Sequence, residues 1–262
     1  MTKYYLNNSV VVSIIMSAKN VEKYLPFCIN SITNQTYSNW ELLIFNDGST
    51  DKTLETLQLY KDKRMIVYTE AASKGIAERS NFLSSKAKGD FIAIMDADDI
   101  MHPERLERQV DFLKKNKKID VVGSYAMLID ESGKELGIRR GNPVVKNVFE
   151  LSIKNRFLIH PSLMVRKAFY EENKYDPDFS RSQDYELWLR TFDKYSFAVI
   201  KQPLIYYRVY KSSFKKAAKS HFFSIKALQK NKQKFKSYEY LLVVNYTRLK
   251  FIVYSFFTAI SK

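Results

Sequence analysis

The first half of the chain alternates short apolar runs with longer segments in which apolar residues recur every three or four positions. The runs are rich in β-branched residues, which is typical of buried strands, and the spacing between them is typical of helices with one buried face. The predicted strands are 10–16, 41–45, 65–69, 91–95 and 120–129. The predicted helices are 25–32, 52–60, 76–85 and 103–116. This alternation predicts an α/β fold with a mostly parallel, Rossmann-like central sheet flanked by helices.

The alternation stops after about residue 140, and the elements predicted beyond it are shorter. They are a strand at 162–165, a helix at 184–195 and strands at 197–200 and 204–209. From residue 214 the pattern is helical and rich in lysine. We therefore predict one domain over residues 1–213, with halves 1–130 and 131–213, and a basic amphipathic helical tail over residues 214–262.

The positive charge of the chain is concentrated in its last quarter. The net charge is +15, but residues 201–262 hold 14 of the 43 Lys and Arg residues and one of the 28 Asp and Glu residues. The rest of the chain is therefore almost neutral. This distribution indicates that the tail is attracted to an anionic partner. The tail has no Gly-rich or other recognised RNA-binding motif, so nucleic acid is not the expected partner.

The cysteine content and the distribution of apolar residues limit the expected cellular location of the protein. The single Cys28 excludes an intramolecular disulfide, so nothing indicates an oxidising compartment. Residues 1–9 lack the layout of a signal peptide, and no run of about 18 uncharged apolar residues predicts a membrane span. The expected location is the cytoplasm.

Polar side chains follow three of the predicted strands, in the segments 17–20, 46–51 and 96–99. In open parallel sheets the ligand site lies beyond the carboxyl ends of the strands. We therefore expect these three segments to converge on one edge of the sheet.

The third of these segments is acidic. Asp96, Asp98 and Asp99 place three carboxylates within four residues, and they repel one another unless a cation compensates. Hard divalent ions take oxygen ligands and are commonly shared between carboxylates and substrate phosphates. The pattern predicts a site for Mn²⁺ or Mg²⁺ beside a phosphorylated substrate. The alternative is an acidic loop that caps the helix expected near Pro103, and Asp99 fits that description best.

Several motifs occur together in a fixed order. Those of the first half are Ser17-Ala18-Lys19-Asn20, Gln35-Thr36, Asn46–Asp51, Gly75, Asn81 with Gly89, Met95–Asp99, Pro103, Arg105-Leu106 and Gln109. Those of the second half are His160-Pro161-Ser162, Asp184–Arg190 and Pro203–Arg208. Over about residues 10–213 the chain resembles the family 2 glycosyltransferases, which have the GT-A fold, and in particular those of bacterial surface-polysaccharide synthesis.

The resemblance implies a site for a nucleotide-diphosphate sugar at this edge. Asp47 would hydrogen-bond the base of the donor, expected to be uracil, while Ser17 and Asn20 would line the nucleotide pocket. From the residues alone, the alternative for Asp47-Gly48-Ser49 is an ordinary turn that caps a helix.

The resemblance also assigns the acidic segment to the donor. Asp96, Ala97 and Asp98 would lie against the nucleotide sugar, with Asp98 as the direct metal ligand. Asp96 would contact the ribose or complete the metal shell.

An inverting transfer needs a carboxylate that takes the proton from the acceptor hydroxyl as it attacks the anomeric carbon. Because the attack is opposite the diphosphate, the base must lie on the other side of the sugar from the metal. Asp184, far along the chain from the acidic segment, is the predicted base. The alternative is an acidic residue placed at a helix N-terminus by the helix dipole.

Other residues near these motifs have open roles. The family often has Glu where Gln183 precedes the base, and His160 could contact phosphate, metal or acceptor. Arg208 could bind the diphosphate through its planar guanidinium. Tyr210 replaces a frequent His of the family, and Lys19 replaces a common aromatic residue, so those contacts differ here.

The expected function is an inverting, metal-dependent glycosyltransferase that forms a β-linkage from an α-linked UDP-sugar. Its acceptor would be a glycan or a lipid-linked glycan. One alternative is a nucleotidyltransferase on a similar scaffold, although residues 17–20 lack the glycines that hold a triphosphate. Another is a membrane-bound module that binds nucleotide sugar without turnover, which the presence of Asp98 and Asp184 disfavours.

The tail predicts a peripheral anchor on the inner face of the cell membrane. Basic amphipathic helices bind anionic lipid surfaces, and an enzyme with a lipid-linked acceptor would benefit from that location. The alternative is that residues 241–260 pack on the catalytic domain while the lysines stay in solvent.

Overall fold

The computed structural model describes residues 11–142, 144–154, 157–210 and 213–260, except for the side chains of 154 and 257–260. Val10, the first residue of the first predicted strand, and the polar segment 1–9 lie outside these ranges.

The described strands form one sheet in the order β3-β2-β1-β4-β8-β6-β9-β5, with β7 paired to β6. They are β1 Val12–Ala18, β2 Trp40–Asp47, β3 Met65–Glu70, β4 Phe91–Asp96, β5 Ile100–Met101, β6 Val121–Ile129, β7 Glu135–Arg139, β8 Met164–Arg166 and β9 Phe197–Arg208. Strands β1 to β4 run parallel, as expected from the βαβ pattern. Strands β5, β7 and β8 are antiparallel to their neighbours, which makes the sheet mixed beyond β4.

Helices cover both faces of this sheet. They are α1 Leu25–Thr33, α2 Thr53–Leu59, α3 Ile76–Lys86, α4 Arg105–Lys115, α5 Val148–Lys154, α6 Lys167–Glu172, α7 Gln183–Thr191, α8 Phe214–Lys230 and α9 Ser237–Ile260, with 3₁₀ turns at His160–Ser162 and Lys232–Lys234. One face of the sheet packs in a core with Leu25, Ile29 and Leu106 from α1 and α4. The other face packs in a core that includes Leu83 and Trp188 from α3 and α7. The predicted α/β class with a flanked central sheet is confirmed.

The register of the parallel strands brings the polar segments together. Ser17 pairs with Asp96 across β1 and β4, and Ala18 pairs with Asn46 across β1 and β2. The carboxyl ends of these strands therefore lie side by side, and the expected convergence at one edge is confirmed.

Several predicted boundaries were wrong. The helix expected from Pro103 begins at Arg105, and the helix expected over 184–195 ends at Thr191. The strands expected at 197–200 and 204–209 are the single strand β9, whose pairing with β6 shifts register between them. The strand expected at 162–165 is a 3₁₀ turn followed by β8. Strands β5 and β7 and helices α5 and α6 were not predicted, because they are short and carry weak periodicity.

The basic tail packs on the rest of the protein. Ala227 and Leu228 of α8 and Val243 of α9 are fully buried in the same core as Trp188. The opposite face of α9 is apolar and exposed, and includes Leu249, Ile252 and Phe256 at 58%, 62% and 63% exposure. Among the described helices, none is both long enough and apolar enough to cross a bilayer.

Candidate active site

Asp47, at the end of β2, has all its acceptor positions engaged. Its carboxylate accepts hydrogen bonds from Ser73 Oγ at 2.7 Å, the backbone amides of Lys74 and Gly75 at 2.9 and 3.0 Å, and Arg79 Nε at 2.6 Å. The residue is only 2% exposed. Burial alone raises the pKa of Asp47, but these donors outweigh it and lower the pKa to about 2. Asp47 is therefore a fixed, fully ionised group.

Arg79 is the partner that sequence reasoning missed. Its guanidinium is buried, lies 3.9 Å from the centre of the Phe45 ring and also bonds Glu70 at 3.0 Å. The sequence of α3 indicated that Arg79 is buried, because Arg79 stands four residues before Leu83 on the buried face of the helix. A buried arginine needs a carboxylate partner, and the nearest strand end supplies one in Asp47.

Gly48 allows the Asp47 loop to lie this close to its neighbour. Its φ is +67°, and a Cβ at this position would lie 2.5 Å from the Ala71 carbonyl oxygen. A side chain would therefore separate the two loops that carry Asp47 and Ser73.

Asn20 ties the first polar segment to the second. Its backbone amide donates to Ser49 Oγ at 3.1 Å, and its Oδ1 accepts from the Thr50 amide at 2.8 Å. The residue has a φ of +52°, which asparagine tolerates better than most residues. Ser17 is half-buried beside Asp96. The structure brings both residues to the predicted edge, while their contact with a nucleotide stays a prediction.

The acidic segment has the opposite electrostatic state from Asp47. Burial, together with the carboxylates of Asp98 and Asp184, raises the pKa of Asp96 to about 6, although His160 counteracts this. Asp99 is 1% exposed, and burial raises its pKa well above the usual range. Among the residues that the structure describes, none donates a hydrogen bond to its Oδ2. These carboxylates are held close together without enough donors to stabilise all their charges.

Asp99 does not cap the helix that follows it, so that alternative was wrong. Helix α4 begins at Arg105, with Glu104 at the cap position. The Oδ1 of Asp99 instead accepts a 2.7 Å hydrogen bond from the backbone amide of Arg208. Asp99 thus joins the acidic segment to the end of β9.

Asp98 is held by β9 and the residues just after it. The hydroxyl of Tyr210 donates to Asp98 Oδ2 at 2.7 Å, and Arg208 Nε donates to the Asp98 carbonyl at 2.9 Å. Arg208 is buried, and its Nη1 bonds the Asp130 carbonyl at 2.7 Å. Its guanidinium therefore fixes the backbone of the acidic loop, and its predicted contact with diphosphate stays a prediction. Ala97 is buried beside Asp98.

Arg105 provides a buried positive charge near the acidic segment. Its Nη2 donates to the carbonyls of Ile94 and Leu163 at 2.8 and 3.1 Å. Burial lowers the pKa of Arg105 to about 10, although Asp99 and Asp96 act in the opposite direction. The side chain stays charged at neutral pH and offsets part of the acidic charge. Arg105 was recognised in the sequence as part of the motif series, but no role was predicted for it.

A cleft of about 780 Å³ opens beside the acidic segment, and we call it the acidic cleft. Its lining includes Asp96, Arg139, His160, Gln183, Asp184 and Tyr207. Three of the predicted site residues that are distant in sequence, Asp96, His160 and Asp184, thus share one cavity. Ser17, Asn20, Asp47, Asp98 and Arg208 do not line it. Arg139 was not predicted, because β7 was not.

Asp184 lies in the first turn of α7. The turn is preceded by Ser182, whose φ of +55° directs the chain into the helix. One Asp184 oxygen accepts from the next backbone amide, Tyr185, at 2.8 Å. The position near the helix N-terminus agrees with the dipole interpretation, but the carboxylate also faces the acidic cleft and raises the pKa of Asp96.

His160 is held by a chain of phenols. Its Nε2 shares a 2.8 Å hydrogen bond with the hydroxyl of Tyr175, which in turn bonds the hydroxyl of Tyr170 at 2.5 Å. Both tyrosines are buried, and burial raises the pKa of each phenol. The phenols therefore stay protonated and orient the imidazole toward the cleft.

The donor set fits a shared divalent cation better than a self-contained metal centre. Within the part of the chain that the structure describes, no three His, Cys, Asp or Glu residues are grouped to hold a metal. The available groups at this edge are the carboxylates of Asp96 and Asp98. Mg²⁺ is commonly held by one or two carboxylates and by substrate phosphates, which is the set that this edge could complete.

The chain belongs to glycosyltransferase family 2: its residues 13–173 match the family model described as "Glycosyl transferase family 2". An uncharacterized glycosyltransferase of Methanocaldococcus jannaschii is 34% identical over 94% of this chain and 88% of its own length. The O-antigen biosynthesis glycosyltransferase WbnJ of Escherichia coli is 33% identical over 81% of this chain and 85% of its own length.

A third relative has a more specific name. It is the E. coli UDP-Glc:alpha-D-GlcNAc-diphosphoundecaprenol beta-1,3-glucosyltransferase WfgD, 32% identical over 68% of each chain.

Solved structures confirm the GT-A fold. Staphylococcus aureus TarS in complex with UDP-GlcNAc matches with a TM-score of 0.64 at 16% identity, over 89% of this chain and 70% of that one. The mannosyltransferase PcManGT from Pyrobaculum calidifontis, in complex with GDP-Man and Mn²⁺, matches with a TM-score of 0.66 at 14% identity, over 90% and 68%.

Proposed function

We propose that this glycosyltransferase is inverting and metal-dependent, and that it moves a sugar from a UDP-sugar to a hydroxyl of a surface-glycan acceptor. One observation carries the proposal: Asp96 and Asp184, from opposite halves of the chain, line one cleft. A donor bound at the acidic segment would have its diphosphate near Asp96 and Asp98 and a second carboxylate, Asp184, across the cavity. In-line displacement needs a base on the acceptor side of the sugar and positive charge at the departing diphosphate, which a cation held by the acidic segment would supply.

The uracil would lie against Asp47 and its partners. A carboxylate offers about four acceptor positions, and four donors already fill those of Asp47. An incoming imide N–H would therefore replace one donor, and the rotatable hydroxyl of Ser73 is the one that can move at least cost. Ser17 and Asn20 would complete the nucleotide pocket.

Asp98 would hold the Mn²⁺ or Mg²⁺ directly, with Asp96 as a second ligand or a ribose contact. When bound, the cation would supply positive charge to the departing diphosphate. The carboxylate of Asp98 accepts a hydrogen bond from Tyr210, and its backbone carbonyl accepts one from Arg208. Arg139, which lines the acidic cleft, adds a further positive charge on the side of the donor.

Asp184 would act as the general base. As the acceptor oxygen forms its bond to the anomeric carbon and the bond to the diphosphate breaks, the hydroxyl proton moves to a carboxylate oxygen of Asp184. Attack from the face opposite the diphosphate converts an α-linked donor sugar into a β-linked product. Gln183 and His160, which line the same cleft, would position the acceptor or the phosphates.

The acceptor would be a lipid-linked glycan reached from the membrane surface. The printed name of the E. coli relative WfgD describes such an acceptor. On this chain, α9 presents an exposed apolar face that includes Leu249, Ile252 and Phe256, and the tail carries most of the net positive charge. Anionic lipid would attract the lysines while the apolar side chains enter the interface.

The function is tested by incubating the protein with a panel of UDP-, GDP- and dTDP-sugars, with Mn²⁺ or with EDTA, and measuring nucleoside diphosphate release. We expect release from at least one UDP-sugar, dependent on the metal. Release that is equal in EDTA would refute the metal dependence. Binding of UDP without turnover of any sugar, in the presence of crude glycolipid acceptors, would favour a non-catalytic module.

A further inference from the structure

A second cavity adjoins the acidic cleft. It is a groove of about 520 Å³, walled by α5 and α7 on one side and by α8 and α9 on the other, and we call it the tail groove. The tail groove and the acidic cleft share the lining residues Leu158, Ser182, Asp184 and Ser220. The two cavities therefore meet at the proposed base.

We propose that the tail groove binds the saccharide of the acceptor, so that α8 and α9 form half of the acceptor site. This inference rests on the proposed function, because it takes Asp184 as the base. A base that receives the acceptor proton must touch both the donor side and the acceptor side. Asp184 is at such a junction.

The lining of the tail groove has the chemistry of a sugar site. Ring surfaces come from Phe157, Trp188 and Phe251, and hydroxyls come from Ser152, Ser220 and Thr247. Aromatic rings cover the C–H faces of a pyranose, while hydroxyls both donate to and accept from its O–H groups. Ser152 and Thr247 donate to carbonyls of their own helices, so their oxygens remain available to accept from the O–H groups of a sugar. The volume lies in the usual range for a small-ligand site, about 300–1,000 Å³.

The tail contributes a pair of stacked rings to the lining of this groove. The rings of His221 on α8 and Phe251 on α9 lie 4.5 Å apart and within 10° of parallel. Lys250 also lines the groove, while Asp184 is its one acidic residue within the described chain. A saccharide joined to an anionic phosphate would therefore meet a complementary charge. The tail thus shapes a substrate site as well as an outer face.

The chain carries its own reporter for this groove. Its two tryptophans are Trp40, in β2, and Trp188, which lines the groove. A Trp40→Phe background leaves the emission of Trp188 alone. We would titrate this protein with methyl glycosides of common hexoses and their disaccharides, and with octanol as a hydrocarbon probe. We expect a saturable change with at least one saccharide and none with octanol.

Blocking variants make the test specific. Ala217 on α8 lines the tail groove but not the acidic cleft, so Ala217→Phe should fill the groove without removing a polar contact. We expect it to weaken saccharide binding, and transfer to that saccharide, at least about tenfold. Thr247→Phe would place a ring in the groove from α9 and should weaken binding and transfer in the same way. Asn245→Phe, an exposed position on α9 outside the lining, is the matched control.

The outcomes separate this inference from the proposed function. UDP binding with Mn²⁺, measured by calorimetry, reports on the donor site and on folding in every variant. If Ala217→Phe and Thr247→Phe both bind UDP and transfer sugar as well as Asn245→Phe does, the tail groove is not the acceptor site. A change in Trp188 fluorescence with octanol, and with none of the saccharides, would also overturn the proposal. Absence of UDP binding and turnover in the unmodified protein would instead refute the proposed function.

Discussion

Asp47, at the end of β2, and the pair Asp96 and Asp99, at the end of β4, are in opposite electrostatic states although only β1 separates their strands. Asp47 is surrounded by donors, and its pKa is lowered to about 2. Asp96 and Asp99, at the end of β4 and just beyond it, are short of donors, and the pKa of each is raised, that of Asp96 to about 6. Both groups are at the same edge of one sheet, so the fold alone does not cause the difference.

The difference comes from the hydrogen-bond donors and positive charges that surround each group of carboxylates. The loop after β3 and helix α3 supply Asp47 with two amides, a hydroxyl and a buried arginine. The acidic segment has Arg208 and Tyr210, but three carboxylates to satisfy. The Asp47–Arg79 ion pair has matched charges, which suits a structural role. The acidic segment has more negative than positive charge, which suits the binding of a cation and its diphosphate. The proposed function divides the roles in the same way.

The largest effect should come from Asp184, which lines the acidic cleft together with Asp96. Asp184→Asn keeps the shape of the side chain but cannot accept a proton, so transfer should fall by about 10³-fold, within the usual range for a general base. UDP affinity with Mn²⁺ should change little, because the proposed contacts with UDP and the cation come from Asp47, Asp96 and Asp98. Glu172→Gln, on the surface of α6, is a suitable control. Transfer within a few-fold of the unmodified rate would remove Asp184 as the base.

At Asp47, whose acceptor positions are all engaged, the effect should appear in the free energy of unfolding. Arg79→Met leaves a buried carboxylate without its cation, and the free energy of unfolding should fall by about 3 kcal/mol. Arg108→Met is the matched control, because the Arg108–Glu104 pair is equally short, 2.6 Å, but exposed. Its loss of stability should be much smaller, because solvent screens the exposed pair. Equal losses in urea denaturation would show that burial does not set the strength of the Asp47 pair.

The pH dependence of stability should follow Asp47. Its pKa in the folded protein, about 2, lies below the ordinary value of 3.8, so its contribution is complete above about pH 5 and is lost as pH falls through about 2. Between pH 6 and pH 2 the unmodified protein should lose about 2 kcal/mol more than Asp47→Asn does. Parallel curves for the two proteins would contradict the lowered pKa.

The smallest expected effect concerns Tyr210. Its hydroxyl donates to Asp98 Oδ2, one of the two carboxylate oxygens that a cation could use. Tyr210→Phe frees that oxygen and should strengthen Mn²⁺ binding in the presence of UDP by about threefold. Tyr238→Phe, an exposed tyrosine of α9, serves as control. Weaker Mn²⁺ binding in Tyr210→Phe would mean that the hydroxyl supports the metal site rather than competing with it.

The sequence was most informative where local pattern and position agree. The strands β1, β2 and β4 have strong β-branched runs, and each is followed by a polar segment, so their convergence could be predicted from the parallel sheet. Asp184 could be chosen only through the family resemblance, because a single aspartate at a helix start has no distinctive local signal. Its position in the acidic cleft depends on packing between distant segments.

Other features depended on tertiary contacts that no local pattern carries. The pairing of Arg79 with Asp47 joins residues 32 positions apart, and the bond from the Arg208 amide to Asp99 joins residues 109 apart. One face of the tail helix α9 is buried in the core, as one of the two predicted alternatives expected, while its other face is apolar and exposed and its contact with a membrane stays a prediction. Hydrophobic periodicity alone could not separate a core face from a membrane face, because both are apolar.

The most direct test of this account is the affinity for UDP with and without Mn²⁺, measured by calorimetry at pH 7. If the acidic segment lacks positive charge until the cation arrives, UDP should bind at least about tenfold more tightly with Mn²⁺, and UDP should tighten Mn²⁺ binding by the same factor. Equal UDP affinity in Mn²⁺ and in EDTA would contradict the account.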